Sequence, residues 1–190
     1  MSTLSLRGAL VLTLDSQDQV FDIAPVVRQS GLRAALAYGI VEMGSEAARV
    51  AALREAEAFL ESLRSDERLT GWVGPRALFV DNSPEAIRLE LALADRYHTG
   101  LHIHLSTNGE EDQHCLKHYG RTAVQQMKAL GVLARPMIAA HWLTIPPEDF
   151  PTLAVHRFTA VMAASACMRV GAAAAAPTAP IPDGSLAPTR

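Results

Sequence analysis

The chain has 190 residues, enough for one domain with a sizeable core and short for two. Apolar residues make up 49% and charged residues 19%, an ordinary globular balance. Aromatic residues at 5% and a formal net charge of −3 argue against a base-stacking platform or a phosphate-neutralising surface, so no nucleic-acid partner is expected.

Cys115 and Cys167 lie far apart with no CxxC spacing, which points to a reducing, cytoplasmic location rather than a disulfide framework. At the N-terminus Arg7 and Asp15 bracket an apolar run too short for a signal peptide. No stretch approaches the roughly 20 apolar residues of a membrane span, so no membrane partner is expected.

In chain order, residues 4–14 (LSLRGALVLTL) read as two short strands around Arg7-Gly8, and residues 34–41 (AALAYGIV) as another strand. Ser45 then caps a helix in which Val50, Leu53, Phe59, Leu60 and Leu63 recur at helical spacing. A further apolar run, residues 71–80, is interrupted by Gly74-Pro75. Ser83-Pro84 starts a helix with Ile87, Leu91 and Ala94 on one face.

Gly100 opens the strand LHIHL. From Glu110 one long amphipathic helix is expected, with Leu116, Tyr119, Ala123, Met127 and Leu130 on its apolar side and Gly131 as its stop. The strand PMIAAHW, a short helix from Pro146-Pro147 and the run FTAVMAA complete a β-α-β-α-β-α-β-α-β order. Such alternation means an α/β fold with parallel strands and right-handed crossovers. The Ala/Pro-rich residues 172–190 read as an irregular tail.

In a parallel α/β array functional groups gather at the C-terminal strand ends. Three such ends carry candidates: Arg76 in GPR, His102 and His104 in LHIHLS, and His141 in AAHW. His102 and His104 share a face, His104 is nearer the end, and His141 is a lateral neighbour one strand spacing away. Neutral imidazoles so placed suit Zn²⁺ or a similar divalent metal, which at a catalytic site takes about three protein ligands. The alternative is that each is a hydrogen-bonded structural histidine.

His114 and His118 stand at i and i+4 on the predicted helix, but HCLKH lacks the Glu of an HExxH motif and reads as a solvated face. Cys115 reads as a packing residue, and Cys167 with Arg169 has no paired base. Asp81-Asn82 and Glu110-Glu111 read as charges at helix N-termini.

The segments SGLRAALAYGIVE, GWVGPRALFVDNSPEAIRLELALADRYHTGLHIHLS, EEDQHCLKHYGR and MIAAHWLTIPPEDFPTLA together resemble the amidohydrolase superfamily. The similarity is to its heterocycle deaminase and chlorohydrolase branch, which includes methylthioadenosine/adenosylhomocysteine deaminase, guanine deaminase and triazine hydrolase. LHIHLS and AAHW are the more specific anchors.

The resemblance implies a partial TIM-type (β/α) barrel of about five parallel strands over residues 23–171, preceded by a remnant of a small β-sandwich at 1–22. By the same resemblance His104 is a metal ligand, His141 a second ligand beside it with a catalytic role, and Arg76 and His102 lie on the substrate side. The implied chemistry is hydrolytic deamination of a heterocyclic base-like substrate by a metal-bound hydroxide, with zinc as the expected metal.

The family's first-strand HxH has no match before Ser30, where the strand VFD (residues 20–22) would lead directly into the next helix. Thr107 stands where the family carries a proton-shuttling Glu, and Met162 where it has a later His. The eighth-strand Asp is absent, and Asp183 follows no strand. The alternative function is therefore a catalytically inactive relative acting as a scaffold or binding protein. Uncovered strand edges favour a homo-oligomer.

Overall fold

The structure, a computed structural model, describes residues 9–11, 19–156, 158–161 and 164–169. Arg7-Gly8, Met162, Asp183, the side chain of Cys167 and the 172–190 tail, all singled out above, lie outside the described residues.

Six strands form one sheet in chain order, every neighbouring pair parallel: β1 (Ala9–Val11), β2 (Ala34–Gly39), β3 (Leu69–Gly74), β4 (Leu101–Leu105), β5 (Met137–His141) and β6 (Phe158–Val161). Parallel neighbours need crossover connections, and helices supply them. These are α1 (Gln19–Ser30), α2 (Glu46–Ser62), α3 (Leu78–Asp81), α4 (Pro84–Arg96), α5 (Glu110–Tyr119), α6 (Ala123–Ala129) and α7 (Phe150–Ala154), with α8 (Ala164–Arg169) after β6. The expected α/β alternation holds, and the N-terminal β segment joins the same sheet as its edge strand.

Leu36, Leu69, Val73, Leu101, Ile103, Leu105 and Ala139 are buried in the cluster that includes Phe59 and Leu60 of α2, Ile87 and Leu91 of α4, and Met127 of α6. Ser45 and Ser83 cap α2 and α4 as expected, their side chains accepting from the amides of Ala48 and Ala86.

Four local expectations are corrected. Residues 20–22 are not a strand but part of α1, where Phe21 makes edge contacts with Tyr38 and Phe59. Phe21, Ala24 and Val27 recur at helical spacing, a period that three residues alone cannot reveal. Val50 is exposed, because the buried stripe of α2 runs through Ala52 and Ala56; two residues from Ala52 is about 200° around the helix.

The run at residues 71–80 is interrupted at Gly74-Pro75 as expected, where β3 stops, but its second half is not strand: it becomes α3. The helix expected from Glu110 to Leu130 is two. Gly120 adopts φ 67°, ending α5, and α6 restarts under a capping box of Thr122 and Gln125. Asp112 also accepts from the Ala123 amide, and Leu116 is left exposed.

Candidate functional site

The site is built where β4 meets β5. Their register runs from Leu101 opposite Met137 to Leu105 opposite His141. Side chains alternate along a strand, so His102 and His104 share a face with Ile138 and Ala140, while Leu105 packs into the helical core. A regular strand would send His141 to the side of Leu105, away from His104. Instead His141 and Trp142 adopt φ of 85° and 62°. The imidazole of His141 then meets that of His104 edge-on, ring centroids 4.6 Å apart and planes at 77°.

Positive φ in a residue with a side chain costs on the order of 1–3 kcal/mol and persists only where surroundings enforce it. Here the surroundings are specific. The Trp142 amide donates to the Leu105 carbonyl (3.1 Å), and the amides of Leu143 and Thr144 donate to that of Ser106 (3.0 and 3.2 Å). The Trp142 indole N–H donates to the Ala139 carbonyl at 2.8 Å, and its ring stacks on Phe158 with centroids 4.6 Å apart. Ser106, itself at φ 53°, donates its amide to the Glu111 carboxylate. Backbone strain at both strand ends is thus held by ties between them.

The other candidates are distributed around this pair. The Arg76 carbonyl accepts from the His104 amide at 2.9 Å, which puts the third strand end beside the fourth. Its guanidinium lies 3.8 Å from Asp81, whose carboxylate accepts from the Ala77 amide. Thr107 is half-buried just past the strand end.

His102 is fully buried one step back along β4, and among the described residues neither ring nitrogen has a hydrogen-bond partner. Burial pushes its pKa down to about 4, so the ring is neutral. Burial also lowers the pKa of His141, leaving a neutral ring nitrogen as a donor to a metal.

Ser106, Trp142 and Glu111 were not singled out as site-building residues by the sequence. Glu110 and Glu111 both stand in the first turn of α5, as expected of helix-terminal charges, but Glu110 is exposed whereas Glu111 is buried. Burial pushes the Glu111 carboxyl up to about 7; Asp112, Asp81 and Glu110 add to this and the Ser106 amide opposes it. No residue-type pattern distinguishes the two glutamates; only the packing of α5 against α3 and the bond to the Ser106 amide do.

Asp81 and Asn82 are likewise buried, at the end of α3. Asn82 accepts from the Glu42 amide and donates to the Ile40 carbonyl. Cys115 is fully buried, and burial pushes its thiol up to about 12, in keeping with a packing role.

Among the described residues no three His, Cys, Asp or Glu side chains gather as a metal-binding group. His104 and His141 fit a borderline divalent cation in donor type and supply two of the roughly three protein ligands a catalytic zinc takes. No helix among the described residues is long and apolar enough to cross a membrane.

No family model matches the chain. It is 31% identical over 134 residues to a 5-methylthioadenosine/S-adenosylhomocysteine deaminase of Caldanaerobacter subterraneus subsp. tengcongensis, covering 70% of this chain and 31% of that protein. The chain spans about a third of the length of the curated relatives it matches.

In fold it superposes on a guanine deaminase from C. acetobutylicum with guanine bound, at a TM-score of 0.75 and 16% identity over 87% of this chain and 41% of that one. A zinc-bound adenosine deaminase from Xanthomonas campestris gives 0.72 and 18% over 84% and 36%. The six parallel strands are therefore part of a TIM-type barrel. Sequence and fold agree that the chain is a partial relative of the heterocycle deaminases of the amidohydrolase superfamily.

Proposed function

We propose that the protein is an amidohydrolase-like hydrolase acting on a C–N bond of a heterocyclic, base-like small molecule, with deamination of a purine nucleoside as the reference reaction. The observation that carries this reading is the edge contact of His104 and His141 across adjacent strand ends, reached through backbone strain.

His104 and His141 would hold a divalent metal, zinc by preference, and such an ion would supply the Lewis acidity that activates water for attack on a ring carbon. The chain's own residues bind and orient. Burial keeps His141 neutral, Trp142 and Ser106 fix the two strand ends, and Arg76 stands beside them to meet a polar group of the substrate. Thr107 cannot hold or move a proton near neutral pH as a carboxylate does.

The reading therefore includes a homo-oligomer, in which a second copy supplies groups to an incomplete site, and a cytoplasmic setting. In domain terms the partial barrel takes in β1 and α1 together with the expected 23–171, so the separate segment expected at 1–22 is given up, with 172–190 behind.

The test is metal content and oligomeric mass of the purified protein, followed by ammonia release from 5′-methylthioadenosine, adenosine and guanine with zinc added. The expected result is zinc retained by the wild type and lost in His104→Ala, with ammonia release lost alongside it. Sub-stoichiometric metal and no ammonia from any of these would instead support the inactive scaffold.

A further inference from the structure

We propose that His114 and His118 form a second metal site, a two-imidazole clamp for one divalent cation of the Zn²⁺, Ni²⁺ and Cu²⁺ class. The site is separate from the strand-end pair.

The two residues stand one turn apart on α5, and their rings lie nearly side by side, centroids 4.4 Å apart and planes 34° from parallel. Histidines at i and i+4 present their nitrogens on one helix face, the arrangement that lets a helix hold a metal through two ligands. With metal–nitrogen bonds of about 2.1 Å, two nitrogens at a tetrahedral metal stand roughly 3.4 Å apart. Rings already this close reach that separation by side-chain rotation alone.

The clamp is not on a flat surface. His114, His118 and Tyr119 form one wall of an open cleft of about 400 Å³, with Glu42, Asp81, Asn82 and Ser83 on the other side. Neither His104 nor His141 lines it.

Burial, then His118 and Lys117, lowers the pKa of His114, which favours the unprotonated ring a metal requires. Lys117 opposes a cation. On the facing wall Asp81 and Glu42 are each partly neutralised, by Arg76 at 3.8 Å and Arg49 at 2.8 Å, so the imidazoles and not the wall charges supply the affinity. Two imidazoles leave the remaining coordination positions open toward the cleft, for water or for an oxygen or nitrogen donor of a small ligand. Among divalent ions Cu²⁺ should bind most tightly, by the general order of affinity.

The test is calorimetric titration of Ni²⁺ into the full, untagged chain carrying H104A and H141A, so that the strand-end pair cannot contribute. One equivalent is expected. Loss of even an outer-shell partner typically weakens a metal site by about 10–100-fold. H114A and H118A, each added singly, should therefore weaken binding by about tenfold or more.

An exchange of positions, L116H with H118L, keeps the composition but puts the second imidazole two residues on, about 200° around the helix from His114, and should do the same. Should the H104A/H141A protein fail to fold, the wild type gives the same answer through a fall of one Ni²⁺ equivalent in H118A, since His118 is exposed and its loss spares the core. No Ni²⁺ equivalent in the H104A/H141A chain, or affinity unchanged by the position exchange, would overturn the site.

Discussion

Glu90 is a buried carboxyl that destabilises the fold once ionised, and its removal should stabilise the fold in a pH-dependent way. It lies mid-helix in α4 between Ile87 and Leu91, fully buried, and among the described residues neither carboxylate oxygen has a hydrogen-bond partner. Burial, and then the nearby Glu42 charge, push its pKa from 4.5 up to about 8. Glu42 itself is tied to Arg49 and the Ser83 amide. Burial raises its pKa as the largest single effect, but these bonds together outweigh it and leave the pKa lowered, so its charge persists.

The folded pKa of Glu90 exceeds the unfolded one, so the native state binds this proton more tightly. The group takes nothing from stability below about pH 4.5; its cost grows as pH rises toward about 8 and is constant above. At roughly 1.36 kcal/mol per pH unit, the cost at pH 7 is about 3 kcal/mol and at pH 5 under about 1 kcal/mol.

Glu90→Leu removes the titration and keeps a similar volume. Its stability advantage over wild type should widen by about 2–3 kcal/mol between pH 5 and pH 7, or roughly 5–10 °C in Tm for a chain of this size. Urea unfolding of both proteins at pH 5, 6 and 7 measures this directly. Parallel pH profiles for the two proteins would refute the reasoning, whatever their absolute difference.

The remaining predictions concern packing, capping and the buried histidine. Gly100→Ala would place a Cβ 2.4 Å from a ring carbon of Trp72 and 2.6 Å from the Pro136 carbonyl, so thermal unfolding should show a loss of about 1–3 kcal/mol. Thr122→Ala removes the hydroxyl that caps α6 and should cost about 1 kcal/mol in urea unfolding, with Thr122→Ser recovering most of it. For His102 the folded pKa, about 4, is below the usual 6.5, so wild-type stability present above pH 6.5 is lost as pH falls toward 4. His102→Leu should abolish that part of the acid transition, and an unchanged acid midpoint would show that His102 is not its source.

The strands around the site were legible because local and global signals coincide there. LHIHL is bounded by Gly100 and Ser106, and its apolar members alternate with the two histidines, so both strand and facing are readable. The α5–α6 break was not, because the spacing Leu116, Tyr119, Ala123, Met127, Leu130 stays in helical phase across it. Gly120 and the Thr122/Gln125 box were the local signals that outweighed periodicity. Glu90 was readable in principle, as an acid one residue from Leu91 on an otherwise apolar stripe.

The meeting of His104 and His141 is of another kind. Adjacent strands put the two residues at neighbouring positions, but pleat alternation alone turns His141 toward the side of Leu105. Only the left-handed backbone at His141 and Trp142 brings the rings together, a conformation uncommon for any residue with a side chain. That conformation is imposed from outside the segment, by the carbonyls of Leu105 and Ser106 and by the Trp142 ring seated on Phe158. Relaxation to ordinary strand geometry would release on the order of 1–3 kcal/mol per residue and separate the imidazoles. Sequence therefore finds the two histidines through their strands, whereas the pair itself is a tertiary product, held together by Ser106, Trp142 and Phe158 rather than by the histidines.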